Sequence, residues 1–488
     1  MEKFNPIVNS TALHSVVGLR KLCSFLLLSA SVIFAFSCEK SPEAEVIPSA
    51  ETSRHADAKK AEGMTGINVL LNTPVTNSIL KELGTYGRVV DVIPEIKALT
   101  MKIPSEKLSA IQRLSFVDTA NPDAKRTGAP IDAVSQIDFS DGLSTWNLDA
   151  INVTELGEGR TIAQDATGVF IGILDSGLLD SWRQYFPQER VATQYAKSFG
   201  GGGGENGNVS EQPNKWEHDQ NSHGTHVAST ILGFQLGNAY FNGVAPKATI
   251  IPVKVLNQNG SGWSSVIARG IVYMAELKAG PLSGSPVVIN MSLGGSQLDA
   301  IEKAAIDYAI GKGVIIVASA GNSGEAGMGY PGAYEPVISV AMAGWKNQWS
   351  SPSWWYASNV PDPTNPADFF IDPFSSREKS GQDLDVTAPG TNVVGPYQLN
   401  SGQLSYYYLT GTSMASPHVA GIVALMAQQN PSLTPEEAET ALENAAIPMG
   451  AGSRIVNEPD GTTSTISWGD DATGHGFITA DAALSEIP

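Results

Sequence analysis

Three short segments of this chain carry the side chains needed to make a nucleophile of a serine hydroxyl. In Gly168-Val-Phe-Ile-Gly-Ile-Leu-Asp-Ser-Gly177 an apolar run ends on Asp175. Asn221-Ser-His-Gly-Thr-His-Val-Ala228 contains His223, and Gly411-Thr-Ser-Met-Ala-Ser-Pro-His-Val-Ala-Gly421 contains Ser413. A serine hydroxyl is a poor nucleophile near neutral pH, so it needs an adjacent base, and the base needs an acceptor to orient it. Asp175, His223 and Ser413 can supply these roles in that chain order. A fourth segment, Ala318-Ser-Ala-Gly-Asn-Ser-Gly324, directly follows an apolar strand. Its Asn322 can aim a side-chain NH2 at a tetrahedral oxyanion, with the Ser413 backbone N–H as partner.

Each segment alone has a plainer reading. An aspartate after a buried strand also serves as metal ligand, phosphate-site residue or helix cap. His223 and His226 are spaced to share a metal, but such a site needs a third suitable ligand and the chain has no HExxH helix, so no metal is expected in the chemistry. His226 reads as a packing histidine. Asn322 beside glycine also suits a left-handed turn.

The elements that would position these residues are apolar strands at 169–174, 248–256, 287–291, 314–318 and 337–340, with helical stretches such as 264–276 and 299–310 between them. Continuous apolar strands separated by helices predict an α/β domain whose parallel sheet is covered on both faces. Its active site then lies outside the carboxyl ends of the strands. Ser413 sits where a turn runs into the apolar helix 419–426, and a helix amino end favours developing negative charge. Thr434-Pro-Glu-Glu437 is a capping box, a stability feature only.

Length and composition frame this domain. The 488 residues allow a catalytic core of roughly 250–350 residues plus accessory segments. With 30 Lys and Arg against 49 Asp and Glu the net charge is −19, and no basic block can follow a phosphate backbone, so nucleic acid is not an expected partner. An uncharged apolar run at 22–37 after Arg20-Lys21 makes 1–37 a secretory signal, too short for a stable span of roughly 20 residues. The two cysteines are Cys23 and Cys38, so the processed chain would hold no disulfide. Cys38, after Ala35-Phe36-Ser37, resembles the lipidated cysteine of bacterial lipoproteins; ordinary cleavage with an incidental thiol is the alternative. Membrane contact is expected only through that lipid.

Residues 38–65 suit a flexible spacer. Residues 66–120 read as a small α+β unit, too small to be stable alone and so expected to dock on something larger. The polar segment 121–144, with Pro122, Lys125, Arg126 and Gly128, reads as an exposed connection where a cut is expected, and 145–488 as the main domain.

The four chemical segments, in this order, resemble the subtilisin family of serine peptidases. The resemblance covers 146–484, including Gly474-His-Gly-Phe-Ile-Thr-Ala-Asp-Ala482 near the end. It implies a three-layer subtilisin-like α/β fold with a mostly parallel central sheet, preceded by a small α+β propeptide domain. It also implies hydrolysis of peptide bonds in proteins or peptides through an acyl-enzyme. The unit at 66–120 becomes an intramolecular inhibitor that assists folding and is then cut away. Substrate would lie as an added strand between Gly260-Ser261-Gly262 and Ser292-Leu293-Gly294. The P1 pocket would be walled by 292–294 and 318–320, with Gly329 near its floor; no acid lines it, which suggests large apolar P1 residues.

No cofactor is needed for this chemistry. Family members often hold a structural calcium where this chain has 232–243, and the candidate ligands, Gln235, Asn238 and backbone carbonyls, include no carboxylate. The chain departs from compact members in two insertions: the long stretch between Asp175 and His223 with its tract Gly200-Gly-Gly-Gly-Gly204, and 345–372 with Trp345, Trp349, Trp354, Trp355, Phe369 and Phe370. The second suits either a rim for substrate or packing against the core. Export is expected, ending in an envelope lipoprotein or a released enzyme. The rival readings are a catalytically silent scaffold that binds peptides in the same cleft and a lipid-anchored binding protein.

Overall fold

The apolar runs form the expected sheet. The computed structural model describes residues 63–128, 132–135, 144–156, 159–200, 209–237, 239–399 and 404–488, so the expected signal, the spacer and Cys38 lie outside the described residues. The strands that matter for the cleft are β6 (Phe170–Asp175), β7 (Thr249–Lys254), β8 (Ser261–Trp263), β9 (Val287–Met291), β10 (Val314–Ser319), β11 (Ile338–Trp345), β12 (Phe369–Ile371) and β13 (Val386–Pro389). The central sheet runs Lys197–Ser198, β7, β6, β9, β10, β11, β12, with β13 also beside β11. Neighbours are parallel except β12, which is antiparallel to β11.

Alternation along these strands feeds two cores. Ile171 and Ile173 of β6 pack with Val227 and Ile231 of α3 (His223–Leu232) and with Val419 and Val423 of α6 (Thr412–Gln429). Leu174, Ile289 and Ile316 face the other way, onto Val266 and Ile271 of α4 (Ser264–Ala279) and Ile301 and Ile306 of α5 (Ala300–Gly311). Each such side chain contributes about 1.5–3 kcal/mol on burial. Helices on both faces of a mostly parallel sheet make the three-layer α/β fold. The helix after Thr434, α7 (Pro435–Ala445), starts on the expected capping box, with Thr434 and Glu437 bonded reciprocally.

The N-terminal unit contains β1 (Met64–Leu71), α1 (Asn77–Leu83), β2 (Arg88–Ile93), β3 (Ala98–Pro104), α2 (Leu108–Ile111) and β4 (Val117–Pro122). Its antiparallel sheet has the order β2-β3-β1-β4. One face packs Ile67, Val69, Leu99 and Met101 under its helices. The other lies toward α4 and α5, and Ile93, Ile96 and Ala98 join the second core of the large domain.

Two helix amino ends meet that face. The N-cap of α4, Trp263, has no acceptor side chain, and Asp123 takes its place by accepting from Ser265 N at 3.0 Å and Ser265 Oγ at 2.6 Å. Asp299 caps α5 through Ile301 N at 3.0 Å. Asn68 Nδ2 donates to both carboxylates, Asp123 Oδ1 and Asp299 Oδ2, at 3.1 Å each. Nearby, Arg269 grips Asp91 with contacts of 3.1 and 2.6 Å.

The expectation of an exposed connection over 121–144 is corrected for 121–128. Residues 117–122 are β4, and Lys125–Thr127 form β5, paired antiparallel with β8. Arg126 is fully buried. Polarity misleads because the partners that replace water around Asp123 and Arg126 come from helices far along the chain.

If Asp123 caps α4 from outside, Asp123→Ala in a chain carrying Ser413→Ala should lower stability by about 2 kcal/mol. Replacing the exposed Asp118 by Ala should leave it within about 0.5 kcal/mol. Denaturant unfolding checks both, and equal effects at the two positions would count against this role.

Candidate active site

The carboxyl edge of the sheet gathers the groups singled out in the sequence. Asp175 is the last residue of β6, Ser292 follows β9, and Asn322 lies three residues beyond β10. The amino ends of α3 and α6 bring His223 and Ser413 to the same edge.

His223 Nδ1 lies 2.9 and 3.0 Å from the two carboxylate oxygens of Asp175, and both side chains are fully buried. Asp175 Oδ1 also accepts from Ser176 N at 2.6 Å. With Nδ1 donating to the carboxylate, Nε2 is the acceptor, and among the described residues it has no hydrogen-bond partner. The Ser413 hydroxyl instead donates to the Ser292 carbonyl at 3.3 Å. The serine–histidine link is therefore open in this structure, as is common in cleft geometries that tighten only around substrate.

Ser413 is held by a consequence of the sequence Ser-Met-Ala-Ser-Pro. Pro417 has no N–H, so it cannot bond the Ser413 carbonyl four residues back. Ser292 Oγ donates to that carbonyl instead, at 2.8 Å. Asn290 Nδ2 donates to Ser292 Oγ at 3.0 Å, and Ser416 Oγ donates to Asn290 Oδ1 at 2.7 Å, which ties β9 to the first turn of α6. Asn322 is oriented by its own carbonyl, which accepts Thr412 N and Thr412 Oγ1 at 2.9 Å each. A cavity of about 550 Å³ lies beside it, lined by Gly294, Ser319, Asn322, Met328, Gly329 and Ser413 among others, none of them charged.

A sequence model of the Subtilase family matches residues 166–479, the span that contains all four chemical segments. This chain belongs to the subtilase family. It is 31% identical over 312 residues to a thermostable alkaline protease of Halalkalibacterium halodurans, across 64% of this chain and 70% of that protein. Subtilisin DY of Bacillus licheniformis is 37% identical over 237 residues, 48% of this chain and 73% of its own. Fervidolysin of Fervidobacterium pennivorans shares the fold, with a TM-score of 0.61 at 24% identity; the match covers 87% of this chain and 61% of fervidolysin. The protein is accordingly a subtilisin-like serine endopeptidase acting on proteins or peptides.

In this subtilase the two expected substrate segments flank β5. Thr127 exchanges both backbone hydrogen bonds with Gly294 at 3.0 Å, and Gly128 N donates to Gly260 O at 2.8 Å. Ser261 and Gly262 pair with Thr127 and Arg126. Leu293 faces the core beside α4 and α5 instead of the cleft. Gly329 lines the cavity, and so do Met328 and Gln382, which the motifs did not single out.

Sequence reasoning also missed a buried charge behind Asp175. Lys254, the last residue of β7, donates to Ser176 O and to Leu256 O, the latter at 2.8 Å. Burial pushes its pKa down, while Asp219 and Asp175 oppose the shift. Asp219 is in turn pushed up by burial and held against that by Lys254 and by Ser176, whose hydroxyl lies 2.8 Å away. The only signal in the chain was a lysine ending an apolar strand.

The segment named for calcium is described in part. Gln235 donates its amide to Gly237 O at 2.9 Å, Asn238 lies outside the described residues, and Gly233–Leu236 with Ala239–Asn242 hold no carboxylate. Among the described residues, Asp383, Asp385 and Glu439 bring ligand atoms within 4.8 Å of one another, at a different place. The 345–372 insertion packs inward: Trp345, Trp354, Trp355, Phe369 and Phe370 are all buried, and Trp354 stacks on Tyr408. That resolves the choice left open by composition in favour of core packing.

His226 is fully buried, with Nε2 3.1 Å from Val393 O. Burial, with His223 adding, pushes its pKa down to about 3, so it stays neutral and is no second base. Burial likewise takes His418 down to about 4. Both folded values lie below the ordinary 6.5, so the unfolded chain takes up these protons first. Stability from this source is complete above about pH 6.5 and falls on acidification toward pH 4, by about 1.4 kcal/mol per pH unit for each histidine. Urea midpoints of the Ser413→Ala chain at pH 7 and pH 5 test this, and His226→Gln should flatten the dependence; an unchanged slope would be inconsistent with it.

Asn322→Ala should lower kcat by about 100- to 1000-fold with KM little changed, the range seen for loss of one oxyanion donor in subtilisin itself. Steady-state kinetics on a small peptide substrate gives the answer, and a loss confined to KM would remove Asn322 from this role.

Proposed function

We propose that the enzyme is made as an exported, self-processed zymogen that cuts peptide bonds with Ser413, His223 and Asp175. The Ser413 hydroxyl adds to the peptide carbonyl as its proton passes to His223 Nε2, forming the Oγ–C bond. Asp175 keeps Nδ1–H pointed at its carboxylate and stabilises the imidazolium. The oxyanion accepts from Asn322 Nδ2 and the Ser413 N–H. His223 then returns the proton to the leaving nitrogen as the C–N bond breaks, and water repeats the sequence on the acyl-enzyme to release the carboxylic acid. No cofactor enters these steps. The observation that carries the reading is the buried Asp175–His223 pair, at 2.9 Å, on the same carboxyl edge of the sheet as Ser413 and Asn322.

In this reading 66–120 is the inhibitory propeptide, and 121–144 carries the maturation cut. The extended segment 125–128, lying between Gly260–Gly262 and Gly294 as a substrate strand would, supports inhibition before that cut. Residues 1–37 direct export, and Cys38 anchors the precursor through lipid. Because the anchor lies on the amino side of the cut, processing releases the enzyme from it. Among the described residues no helix is long and apolar enough to cross a membrane.

Casein hydrolysis by the purified chain and its Ser413→Ala form, with mass spectrometry of each amino end, tests the reading. The parent should cut casein and lose its first 120–145 residues, roughly the span up to the expected maturation segment, and the variant should do neither. Inactivity of both, with no labelling of the parent by a fluorophosphonate, would favour a silent peptide-binding scaffold.

A further inference from the structure

The strand that fills the cleft buries a charge, and the pocket that receives it bears on substrate choice. The inference rests on the roles of Ser413, His223 and Asp175 given above. In β5, Arg126 lies opposite Gly262 and Thr127 opposite Ser261, and on the other side Thr127 pairs with Gly294. Side chains alternate along such a strand. A Cβ at Gly128 would lie 3.4 Å from His223 Cε1, so that position faces the histidine, and Arg126 shares its face of the strand. A peptide continuing this register by one residue places its next side chain in the cavity bounded by Gly294, Gly329 and Ser413. That residue's carbonyl is the one within reach of Ser413, and Arg126 marks the position three residues before it.

The Arg126 guanidinium and the Glu302 carboxylate are both closed off from solvent. Nε lies 3.2 and 3.1 Å from the two carboxylate oxygens, Nη2 pairs with Glu302 Oε2, and Nη2 also donates to Gln297 O at 3.0 Å. Nη1 donates to Lys125 O at 3.0 Å. Gly295 makes room, since a Cβ there would stand 2.7 Å from Nη1. Burial pushes the Glu302 carboxyl up and Arg126 opposes it. Once β5 leaves, this acid is left in its pocket without a counter-charge.

We propose that Glu302 is a specificity-determining residue. The processed enzyme favours protein substrates with arginine three residues before the residue whose carbonyl is attacked. Two in-plane N–H donors to one carboxylate, plus a carbonyl acceptor, match the planar guanidinium better than the single ammonium of lysine. Selection at this pocket is separate from the uncharged cavity beside Ser413.

Internally quenched peptides that differ only at that position, with Arg, Lys, Leu or Glu, test the proposal on the processed enzyme. The parent should cut the Arg peptide with kcat/KM at least about 30-fold above the Leu peptide, and Glu302→Gln should bring that ratio below about threefold. Equal rates on the Arg and Leu peptides, or an Arg preference that survives Glu302→Gln, overturns the proposal. Casein hydrolysis separates the two ideas: cutting without Arg preference sinks the pocket alone. If casein is not cut, the proposed function falls, and the pocket is read without catalysis in the full chain carrying Ser413→Ala. There Arg126→Leu should speed hydrogen exchange of the Thr127, Gly128 and Gly294 amides by at least about tenfold; unchanged exchange overturns the pocket.

Discussion

A shared strand direction is the constraint on which the cleft depends. Because β6, β9 and β10 run parallel, their carboxyl ends line one edge, and Asp175, Ser292 and Asn322 leave the sheet side by side. Parallel strands need crossovers, and the crossovers cover both faces with helices. Two of the helices that begin at this edge, α3 and α6, deliver His223 and Ser413 at their amino ends, where free N–H groups favour the negative charge of the transition state. Their apolar flanks, such as Val227 and Val423, lock those ends onto the sheet.

That arrangement buries many polar groups, and around the reacting residues most of them are matched. Asp175 meets His223 and Ser176; Asp219 and Lys254 form a second layer beneath them. On the other side, the carbonyl freed by Pro417 is taken by Ser292, whose hydroxyl is in turn held by Asn290. An unmatched buried polar group costs about 1–3 kcal/mol, so these small networks hold the reacting groups in place as firmly as apolar packing does.

The N-terminal unit uses the same physics in the opposite sense. Its sheet buries one face under its own helices and offers Asn68 and Thr100 on the other, toward the ends of α4 and α5. Asp123 completes a helix end that the large domain leaves uncapped. Through the ion pair at Asp91, and through Asp123 and β5 just beyond its last strand, this part of the chain meets α4, α5 and β8 together.

The four chemical motifs are legible in the chain because each is local: a strand ending on Asp175, a helix starting at His223, a turn after β10 with Asn322, and a helix starting near Ser413. The parallel order of the sheet is legible for a similar reason, since strands buried on both faces read as continuous apolar runs. What the chain could not reveal rests on partners far apart. Arg126 and Glu302 are 176 positions apart, and a polar segment looks exposed until docking replaces its water. The aromatic residues of 345–372 suited a rim or a core equally by composition, and only their contacts with residues such as Tyr408 decided for the core. Local pattern determined which residues carry the chemistry; tertiary packing alone decided which charges are sealed from solvent, because desolvation depends on neighbours that sequence separation does not reveal.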